Sequence, residues 1–352
     1  MSLLLIERVE TGRALTRRDA EALMEELLSG RIATPEIVRL LEALNRRPVQ
    51  SQELAGFAQV MRRHATRVFA DGDARPTNMV DTCGTGGDAS GTFNISTAAA
   101  IVAAAAGARV AKHGNRAASS QSGSADVLEA LGVRIDLPFE RYGRAIREIG
   151  IGFLFAQAAH TATRHATPAR KQIGVRTVFN LLGPLTNPAG AQAQVLGVFS
   201  AEVIDLVAAT LAELGTEHTF VVHGADGLDE ISLAGETIVA EVRDGKVRKF
   251  SMTPEEFGVK RAPIEAIRGG TAEENASLIR RILEAKVGPP RDIVVINAAA
   301  ALMATGVSEN CRDAAEMARS AIDSGKAGRT LANLKTFTNA ASLGQKARGE
   351  TR

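Results

Sequence analysis

Residues 79–88 read Met-Val-Asp-Thr-Cys-Gly-Thr-Gly-Gly-Asp and mark a change from purely helical to mixed structure along the chain. The apolar start, residues 79–81, predicts a short strand. Gly84, Gly86 and Gly87 then allow backbone N–H groups to converge on an anion, and the helix that follows adds its positive N-terminal end. A tight strand-to-helix turn explains the glycines equally well, so the loop alone leaves both interpretations open.

Two nucleotide-binding motifs have similar glycine patterns. A P-loop requires Gly-Lys-Ser/Thr, which does not follow here. Gly84, Gly86 and Ala89 match the dinucleotide-binding fingerprint, but that fold requires an acidic residue about 20 residues further on. Residues 103–108 read Ala-Ala-Ala-Ala-Gly-Ala instead. The sequence therefore argues against nicotinamide binding.

Upstream of the glycine loop, the sequence shows helical periodicity and no strand pattern. Thr16 is suited to cap one helix, Thr34 to begin a second, and Ser51 to cap a third. The polar residues 71–76 then break the periodicity and indicate a boundary.

Downstream of the loop, short apolar runs alternate with helical segments, which is typical of an α/β layer structure. The expected elements are an alanine-rich helix over 97–106 capped by Ser96 or Thr97, strands over 109–112 and 219–222, a helix over 201–214, and a hairpin within 238–250 that turns at Asp244-Gly245.

Composition narrows the classes of function. The 42 Lys and Arg residues nearly balance the 40 Asp and Glu residues, so no general attraction to nucleic acid or membranes is expected. Cys83 and Cys311 form no Cys-x-x-Cys pair, which argues against a disulfide scaffold and favours a cytoplasmic location. The N-terminus lacks the pattern of a signal peptide. The apolar stretches 98–106 and 293–304 are shorter than the roughly 20 residues that span a bilayer.

Two further polar segments extend the candidate anion site. Residues 91–97 (GTFNIST) place Thr92 and Asn94 before the alanine-rich helix, where capping requires only one polar side chain. Residues 112–120 (KHGNRAASS) combine two cations, an amide and hydroxyl groups after a strand, a composition suited to anions. A solvated basic loop has the same composition and stays an alternative.

Asp229 and Glu230 are the candidate metal ligands. Adjacent carboxylates after a strand suit Mg²⁺, although most acidic pairs are simply solvated surface charge. The six histidines show no metal-binding spacing. Arg164, Arg170 and Lys171 form a basic segment that could receive an organic carboxylate, and an exposed basic helix is the alternative.

Taken in order, these segments resemble anthranilate phosphoribosyltransferases. The resemblance covers nearly the whole chain and rests on residues 81–88, 94–97, 112–120, 122–126, 174–188 and 227–230. It implies a small all-helical domain plus a larger α/β domain with a central mixed, mainly parallel sheet flanked by helices, as in nucleoside phosphorylases and phosphoribosyltransferases. Residues 1–72 and 170–190 would form the helical domain, and residues 73–169 and 191–352 the α/β domain.

The resemblance also implies an activity and its site. The activity is transfer of the 5-phosphoribosyl group from phosphoribosyl pyrophosphate to the amine of anthranilate, in tryptophan biosynthesis. Two Mg²⁺ ions per monomer and a homodimer through the helical domain are implied, with no nucleic acid or membrane partner. The implied magnesium ligands are Ser96, Asp229 and Glu230, with Lys112 adding positive charge, and the implied anthranilate contacts are Gly84, Asn115 and Arg170. The implied donor contacts are Gly84, Gly87, Asp88, Thr92, Asn94, Ile95, Ser96, Thr97, Lys112, His113, Gly114, Asn115, Arg116, Ala117, Ala118, Ser119, Ser120 and Ser124.

One segment departs from the family pattern, on the acceptor side. Relatives usually read Phe-Ala-Pro and His-Pro-Ala-Met where this chain has Phe-Ala-Gln at 155–157 and His-Thr-Ala-Thr at 160–163. The changes to Gln157, Thr161 and Thr163 remove rigidity and an apolar wall. A phosphoribosyltransferase for another arylamine is therefore one alternative. The others are a pyrimidine nucleoside phosphorylase, which shares the architecture, and a non-catalytic relative that binds nucleic acid through its basic loops.

Overall fold

The structure is a computed structural model that describes residues 1–70, 72–117 and 121–349, with side chains described up to residue 340. Within these ranges the chain forms helices α1 to α15 and strands β1 to β7. None of the helices in these ranges is both long enough and apolar enough to cross a membrane.

Four helices open the chain: α1 (Ser2–Glu10), α2 (Arg17–Leu28), α3 (Thr34–Asn45) and α4 (Ser51–His64). The Thr16 hydroxyl caps α2 as expected, because it accepts the Asp19 N–H at 3.2 Å. The expectation that Ser51 caps α4 is wrong. Gln50 occupies that position and donates its N–H to Glu53 Oε2 at 2.9 Å, while the Ser51 hydroxyl donates to Glu213.

The seven strands form one sheet in the order β3-β2-β1-β4-β5-β6-β7. Their bounds are β1 Met79–Asp81, β2 Arg109–Gly114, β3 Ile151–Phe155, β4 Ala193–Gly197, β5 His218–Gly224, β6 Thr237–Arg243 and β7 Lys246–Met252. The first five strands of that order run parallel, whereas β6 and β7 pair antiparallel. The mixed, mainly parallel sheet is confirmed. So is the hairpin turn at Asp244 and Gly245, which both have left-handed φ angles, 51° and 73°.

Helices cover both faces of this sheet. The remaining helices are α5 Ile95–Ala105, α6 Ser124–Ala130, α7 Phe139–Glu148, α8 Ala156–Ala159, α9 Thr167–Ile173, α10 Phe179–Leu182, α11 Ile204–Glu213, α12 Ala272–Leu283, α13 Pro289–Ala304, α14 Cys311–Asp323 and α15 Lys326–Gly349. Helices α5 and α13 are apolar on nearly all sides and are buried together in one core. The N-terminal helices share a second core with Phe179, Leu182 and apolar residues of β4 to β6. The division into domains at residues 72 and 170–190 stays a prediction.

The alanine-rich helix α5 begins earlier than expected. Its N-cap is Asn94, so the expectation that Ser96 or Thr97 caps it is wrong. Asn94 makes no capping bond, because its side chain bonds to Ser122 and Asn275 instead. The helix start therefore keeps polar groups that capping does not use.

The candidate site lies on the loops that follow β1, β2 and β5. These strands are parallel, so the loops that leave their carboxyl ends meet at one edge of the sheet. The strand order reverses direction between β1 and β4, and such a switch point opens a crevice beyond the strand ends.

Candidate functional site

The glycine loop after β1 is held from two sides. The Gly86 N–H donates to Asp229 Oδ2 at 3.0 Å, and Arg176 Nη2 donates to the Gly87 carbonyl at 2.8 Å. Gly86 and Gly87 have φ angles of 64° and 80°, which L-residues rarely adopt. The loop thus joins β1 to the acidic loop after β5 and to the segment that carries Arg176.

Gly84 is constrained by space. A Cβ atom at this position would lie 2.8 Å from Asp229 Oδ2 and 3.2 Å from the Gly197 carbonyl oxygen. Its φ angle is not left-handed, so the need for glycine here comes from the close approach of these groups. The backbone of the loop therefore lies directly against a candidate metal ligand.

Three carboxylates share the cleft between the glycine loop and α5. Asp229 accepts the Gly86 N–H, and Glu230 accepts the backbone N–H of Ser96. Asp88 lies beside Asp229, and its Oδ2 atom is buried with no hydrogen-bond partner in the described part of the chain. Burial, reinforced by the charge of Asp88, raises the pKa of Asp229 to about 7. Burial and the charge of Asp229 raise the pKa of Glu230 to about 8.

Lys112 supplies a positive charge close to these carboxylates. Its side chain is buried, and Nζ donates to the Thr82 carbonyl at 2.8 Å and to Ser96 Oγ at 3.2 Å. Burial lowers the pKa of this ammonium group, whereas the nearby carboxylates, Asp229 and Glu230 among them, oppose that shift. Lys112 therefore ties the start of the glycine loop to the first turn of α5.

The carboxylate cluster fits Mg²⁺. Asp229, Glu230 and the Ser96 hydroxyl offer the hard oxygen ligands that this ion prefers, and the unpartnered Asp88 oxygen adds another. Carboxylates with raised pKa values gain from a divalent cation, because it relieves their mutual repulsion.

A second group of potential ligand atoms lies nearby but is bonded internally. The side chains of Asp81, Cys83 and His113 place ligand atoms within 4.8 Å of one another. Asp81 Oδ1 accepts the His113 backbone N–H at 3.0 Å, and Oδ2 accepts Asn187 Nδ2 at 2.8 Å and the Cys83 thiol at 3.2 Å. The Asp81 carboxylate thus fastens β1 to β2 and to the segment that carries Asn187.

The raised carboxylate pKa values predict how pH affects stability without metal. The ordinary values are 3.8 for Asp229 and 4.5 for Glu230, so the folded protein binds protons more tightly there than the unfolded chain does. That stabilisation is complete below about pH 4 and is lost as pH rises through 7 to 8. In EDTA, the Tm of the wild type should therefore fall more steeply between pH 6 and 8.5 than the Tm of Asp229→Asn/Glu230→Gln.

Differential scanning fluorimetry over this pH range measures the difference. At the upper end of this pH range, the difference between the two proteins in how far Tm has fallen should reach at least about 2–4 °C. A change of roughly 1 kcal/mol produces a shift of this size in a domain of 150–250 residues. Mg²⁺ should restore the Tm of the wild type only. Equal pH slopes in the two proteins would contradict the assignment of raised pKa values.

The segment after β2 folds back onto α6. The Asn115 N–H donates to Ser124 Oγ at 3.1 Å, and the Ala117 N–H donates to Asp126 Oδ2 at 3.0 Å. Arg116 forms ion pairs with Asp126 and with Glu129, at 2.8 and 2.6 Å, and these hydrogen-bonded acids raise its pKa. The Arg116 side chain is therefore engaged by α6.

Thr92 and Asn94 lie between the glycine loop and α5 in the chain. The Thr92 hydroxyl is 3.2 Å from Ser90 Oγ. Asn94 Nδ2 donates to the Ser122 carbonyl at 3.1 Å, and its Oδ1 accepts from Asn275 Nδ2 at 3.0 Å. Asn94 thereby joins the start of α5 to the segment that leads into α6 and to α12.

The side chains of some implied donor contacts are buried. Ile95 and Thr97 are buried, so only their backbone groups at the start of α5 are available to an anion. The His113 ring is buried 5.2 Å from the His160 ring, and burial lowers the pKa of His113 to about 3, which keeps it neutral. Three implied contacts lie outside the described residues: Ala118, Ser119 and Ser120.

The implied acceptor contacts come from different elements. Gly84 and Asn115 follow β1 and β2, whereas Arg170 is an exposed residue of α9. The Arg170 guanidinium carbon lies 5.3 Å from the centre of the Phe179 ring, and no ion pair involves Arg170 in the part of the chain described. It can therefore offer a cation that is oriented by an aromatic ring.

The three departures from the family pattern differ in their surroundings. Gln157 is exposed on α8 and Thr161 is exposed in the 3-10 turn that follows. The Thr163 hydroxyl donates to the His160 carbonyl at 2.7 Å, so it stabilises that turn. This bond gives Thr163 a local structural role.

Sequence reasoning did not single out three residues that shape the site. Arg176 binds the glycine loop and lies 4.4 Å from the centre of the Phe199 ring. Asn187 joins Asp81 to the backbone of β2. Both lie within the recognised motif at 174–188, which was the available signal, whereas Asn275 lies in no motif.

Two family models match this chain. Residues 76–328 match the glycosyl transferase family, a/b domain, and residues 4–65 match the glycosyl transferase family, helical bundle domain. The chain is 50% identical over 335 residues to an anthranilate phosphoribosyltransferase of Symbiobacterium thermophilum, which covers 95% of this chain and 97% of the relative.

Two solved structures have the same fold. The crystal structure of anthranilate phosphoribosyltransferase from Thermus thermophilus superposes with a TM-score of 0.89 at 46% identity, covering 95% of this chain and 99% of that one. The enzyme from Saccharomyces cerevisiae in complex with PRPP and Mg superposes with a TM-score of 0.86 at 27% identity, covering 96% and 98%.

Proposed function

The chain belongs to the anthranilate phosphoribosyltransferase family, and we propose that it transfers the 5-phosphoribosyl group from phosphoribosyl pyrophosphate to anthranilate. The products are N-(5-phosphoribosyl)anthranilate and pyrophosphate, and the step belongs to tryptophan biosynthesis. The observation that carries the proposal is the cluster of Asp88, Asp229 and Glu230 with Lys112 against a glycine loop. This combination suits a metal-bound pyrophosphate.

The donor would lie over the glycine loop and the start of α5. Backbone N–H groups near Gly87 and at the first turn of α5 would bind phosphate oxygens, as helix N-termini commonly do. Lys112 would place its charge beside the departing group. Arg176 supports this cradle, because its guanidinium donates a hydrogen bond to the Gly87 carbonyl.

Ser96, Asp229 and Glu230 would hold Mg²⁺, with two ions per monomer. When bound, Mg²⁺ supplies positive charge that stabilises the negative charge of pyrophosphate. The protein's own part is to keep these ligands in place through the Gly86 N–H and the Ser96 backbone N–H.

The reaction needs little acid–base help from the protein. The anthranilate amine attacks the anomeric carbon, the bond from that carbon to the pyrophosphate oxygen breaks, and the amine then releases a proton to solvent. An arylamine is neutral at pH 7 and has a free lone pair, so no strong base is required before the attack. Positioning and electrostatics would therefore account for most of the rate increase.

The decisive experiment mixes the protein with Mg²⁺, phosphoribosyl pyrophosphate and anthranilate and follows the loss of anthranilate fluorescence. Parallel reactions with other aminobenzoates test the acceptor, because Gln157, Thr161 and Thr163 alter the family pattern. A reaction with thymidine or uridine and phosphate tests phosphorolysis. Failure to consume any arylamine would overturn the proposal.

Replacing Arg170 with Ala should raise the KM for anthranilate about tenfold or more, with little change in the KM for the donor. A charge-assisted hydrogen bond from Arg170 to the anthranilate carboxylate would contribute about 1.5–3 kcal/mol to binding. Arg170 has no acidic partner among the described residues that would compete for this bond. Steady-state kinetics with each substrate varied in turn measures the split. Lys171→Ala, at an exposed neighbour on α9, is the matched control. Equal changes in both KM values would refute the role of Arg170.

The protein would act as a cytoplasmic homodimer. Exposed apolar side chains support this, because Leu3 and Leu4 on α1 are 53% and 70% exposed, and Val175, just after α9, is 66% exposed. Exposed apolar side chains on the helical part of a chain suit a self-complementary contact. Light scattering of the wild type against Leu3→Lys/Leu4→Lys tests the dimer.

A further inference from the structure

A second cavity, of about 400 Å³, lies apart from the glycine loop. It is lined by the end of α4, the linker before β1, residues 184–194, and the turn 214–216 that leads into β5. The candidate active site uses loops that follow the carboxyl ends of strands, whereas this cavity is lined largely where β4 and β5 begin. The cavity therefore lies at the ends of β4 and β5 that are opposite to the candidate active site, although Asp81, the last residue of β1, also lines it.

The lining of this cavity is strongly basic. Among the described residues, the charged side chains of the lining are Arg62, Arg67 and Arg75 and one carboxylate, Asp81. Asp81 is buried and its oxygens already accept hydrogen bonds from the backbone N–H of His113 and from other groups. Its bonds to these groups leave no carboxylate of the described lining free to pair with Arg62 or Arg75, so these two guanidinium groups keep their positive charge unbalanced by described residues.

Among these arginines, Arg62 has the charge that a bound anion would stabilise most. It is half-buried, and its Nε donates to the Leu185 carbonyl at 2.8 Å. The Arg62 side chain has no ion pair or further hydrogen bond within the described ranges of the chain, and burial lowers its pKa with no nearby acid to offset the effect. A guanidinium has five N–H donors, and partly burying one without a counter-charge is unfavourable.

Arg75 and Gln192 add complementary groups. A Cβ atom at Gly190, another lining residue, would lie 3.9 Å from Arg75 Nη1, so the Arg75 guanidinium lies close to the backbone of residue 190. Arg75 has no ion pair among the described residues. Gln192 Oε1 is buried and accepts no hydrogen bond from any described group. Hydrogen phosphate suits such a lining, because its oxygens accept from guanidinium groups and its hydroxyl can donate to an amide oxygen.

We propose that this arginine cavity, defined by Arg62, Arg67 and Arg75, is a second anion site that binds phosphate or the phosphate group of a small metabolite. Arg62 and Arg75 are its principal ligands. The volume exceeds that of a free phosphate ion, which leaves room for a small organic portion beside the phosphate.

The location is tested by anomalous diffraction from crystals soaked in tungstate, a tetrahedral oxyanion. A peak between Arg62 and Arg75 is expected. A soak that fills the glycine-loop site but leaves no peak at the arginine cavity would overturn the proposal.

The affinity is tested in solution by thermal shift with inorganic phosphate and, separately, with ribose 5-phosphate. Arg62→Gln and Arg75→Gln should each weaken the phosphate-dependent stabilisation from this site about tenfold, as expected for loss of a charge-assisted hydrogen bond. Arg63→Gln is the matched control, because Arg63 is exposed on the same helix and pairs with Glu21 and Glu25.

Inorganic phosphate and ribose 5-phosphate distinguish the two kinds of anion that the cavity could bind. Equal affinities indicate free phosphate, and tighter binding of ribose 5-phosphate indicates a phosphorylated metabolite. Identical phosphate responses in the wild type and in both arginine variants would refute the site. Arg75 lies in an exposed linker, so its variant keeps the test valid if Arg62→Gln folds poorly. The measurements use no turnover, so their outcome is independent of the proposed transferase activity.

Discussion

Replacing Asp229 with Asn and Glu230 with Gln should abolish phosphoribosyl transfer, with a fall in kcat of about 10²–10³-fold or more. The two carboxylates share a cleft with Asp88, and repulsion among these charges adds to the effect of burial in raising the pKa of Asp229 and of Glu230. The amide side chains keep the shape of the cleft but remove both negative charges. The cleft then loses its affinity for Mg²⁺ and, with it, the charge that stabilises pyrophosphate as it leaves.

Initial rates over a Mg²⁺ titration measure this effect. Asp226→Asn is the matched control: it is a carboxylate in the same loop, but it accepts a hydrogen bond from the Ser232 hydroxyl at 2.7 Å and should retain activity. Isothermal titration measures the loss of Mg²⁺ binding, and the Tm of each variant, measured alongside, shows whether it still folds. An active double variant, within a few fold of the wild type, would show that the cluster is not the metal site.

The fold was largely predictable because its local signals are strong. A two-residue Asp-Gly turn between β-branched runs predicts a hairpin wherever it occurs, and β6 and β7 form one. The start of α5 was less predictable, because several polar residues in a row can each cap a helix. Asn94 took that position, and contacts with Ser122 and Asn275 decided where its side chain points.

The site was predictable only as a set of loops. The sequence placed Lys112 and Glu230 near phosphate-binding segments, but nothing local shows that burial would raise the pKa of that carboxylate to about 8. The bond from Arg176 to Gly87 spans 89 residues, and the arginine cavity combines segments from four parts of the chain. Such contacts depend on the order of strands in the sheet, which periodicity does not encode.

Replacing Gly84 with Ala should lower kcat/KM for transfer about a hundredfold while leaving the fold intact. The new Cβ would lie 2.8 Å from Asp229 Oδ2 and 3.2 Å from the Gly197 carbonyl oxygen. The carbonyl is fixed in β4, so the methyl group must displace the Asp229 carboxylate, which would also weaken its hydrogen bond from the Gly86 N–H. A displacement of roughly 1 Å at a catalytic site can cost about 10²-fold in rate.

Gly235→Ala is the matched control for this change. Gly235 has no atom within 4 Å of an added Cβ and no left-handed φ, so alanine there adds a methyl group without a clash. The two variants should have similar Tm values and differ in activity and in Mg²⁺ affinity. If Gly84→Ala kept full activity, the glycine loop would tolerate a side chain beside Asp229, and its close approach to the carboxylate would be incidental. Loss of both activity and Mg²⁺ binding would instead show that the loop is part of the metal site, because the only added group is a methyl that contacts the candidate ligand Asp229.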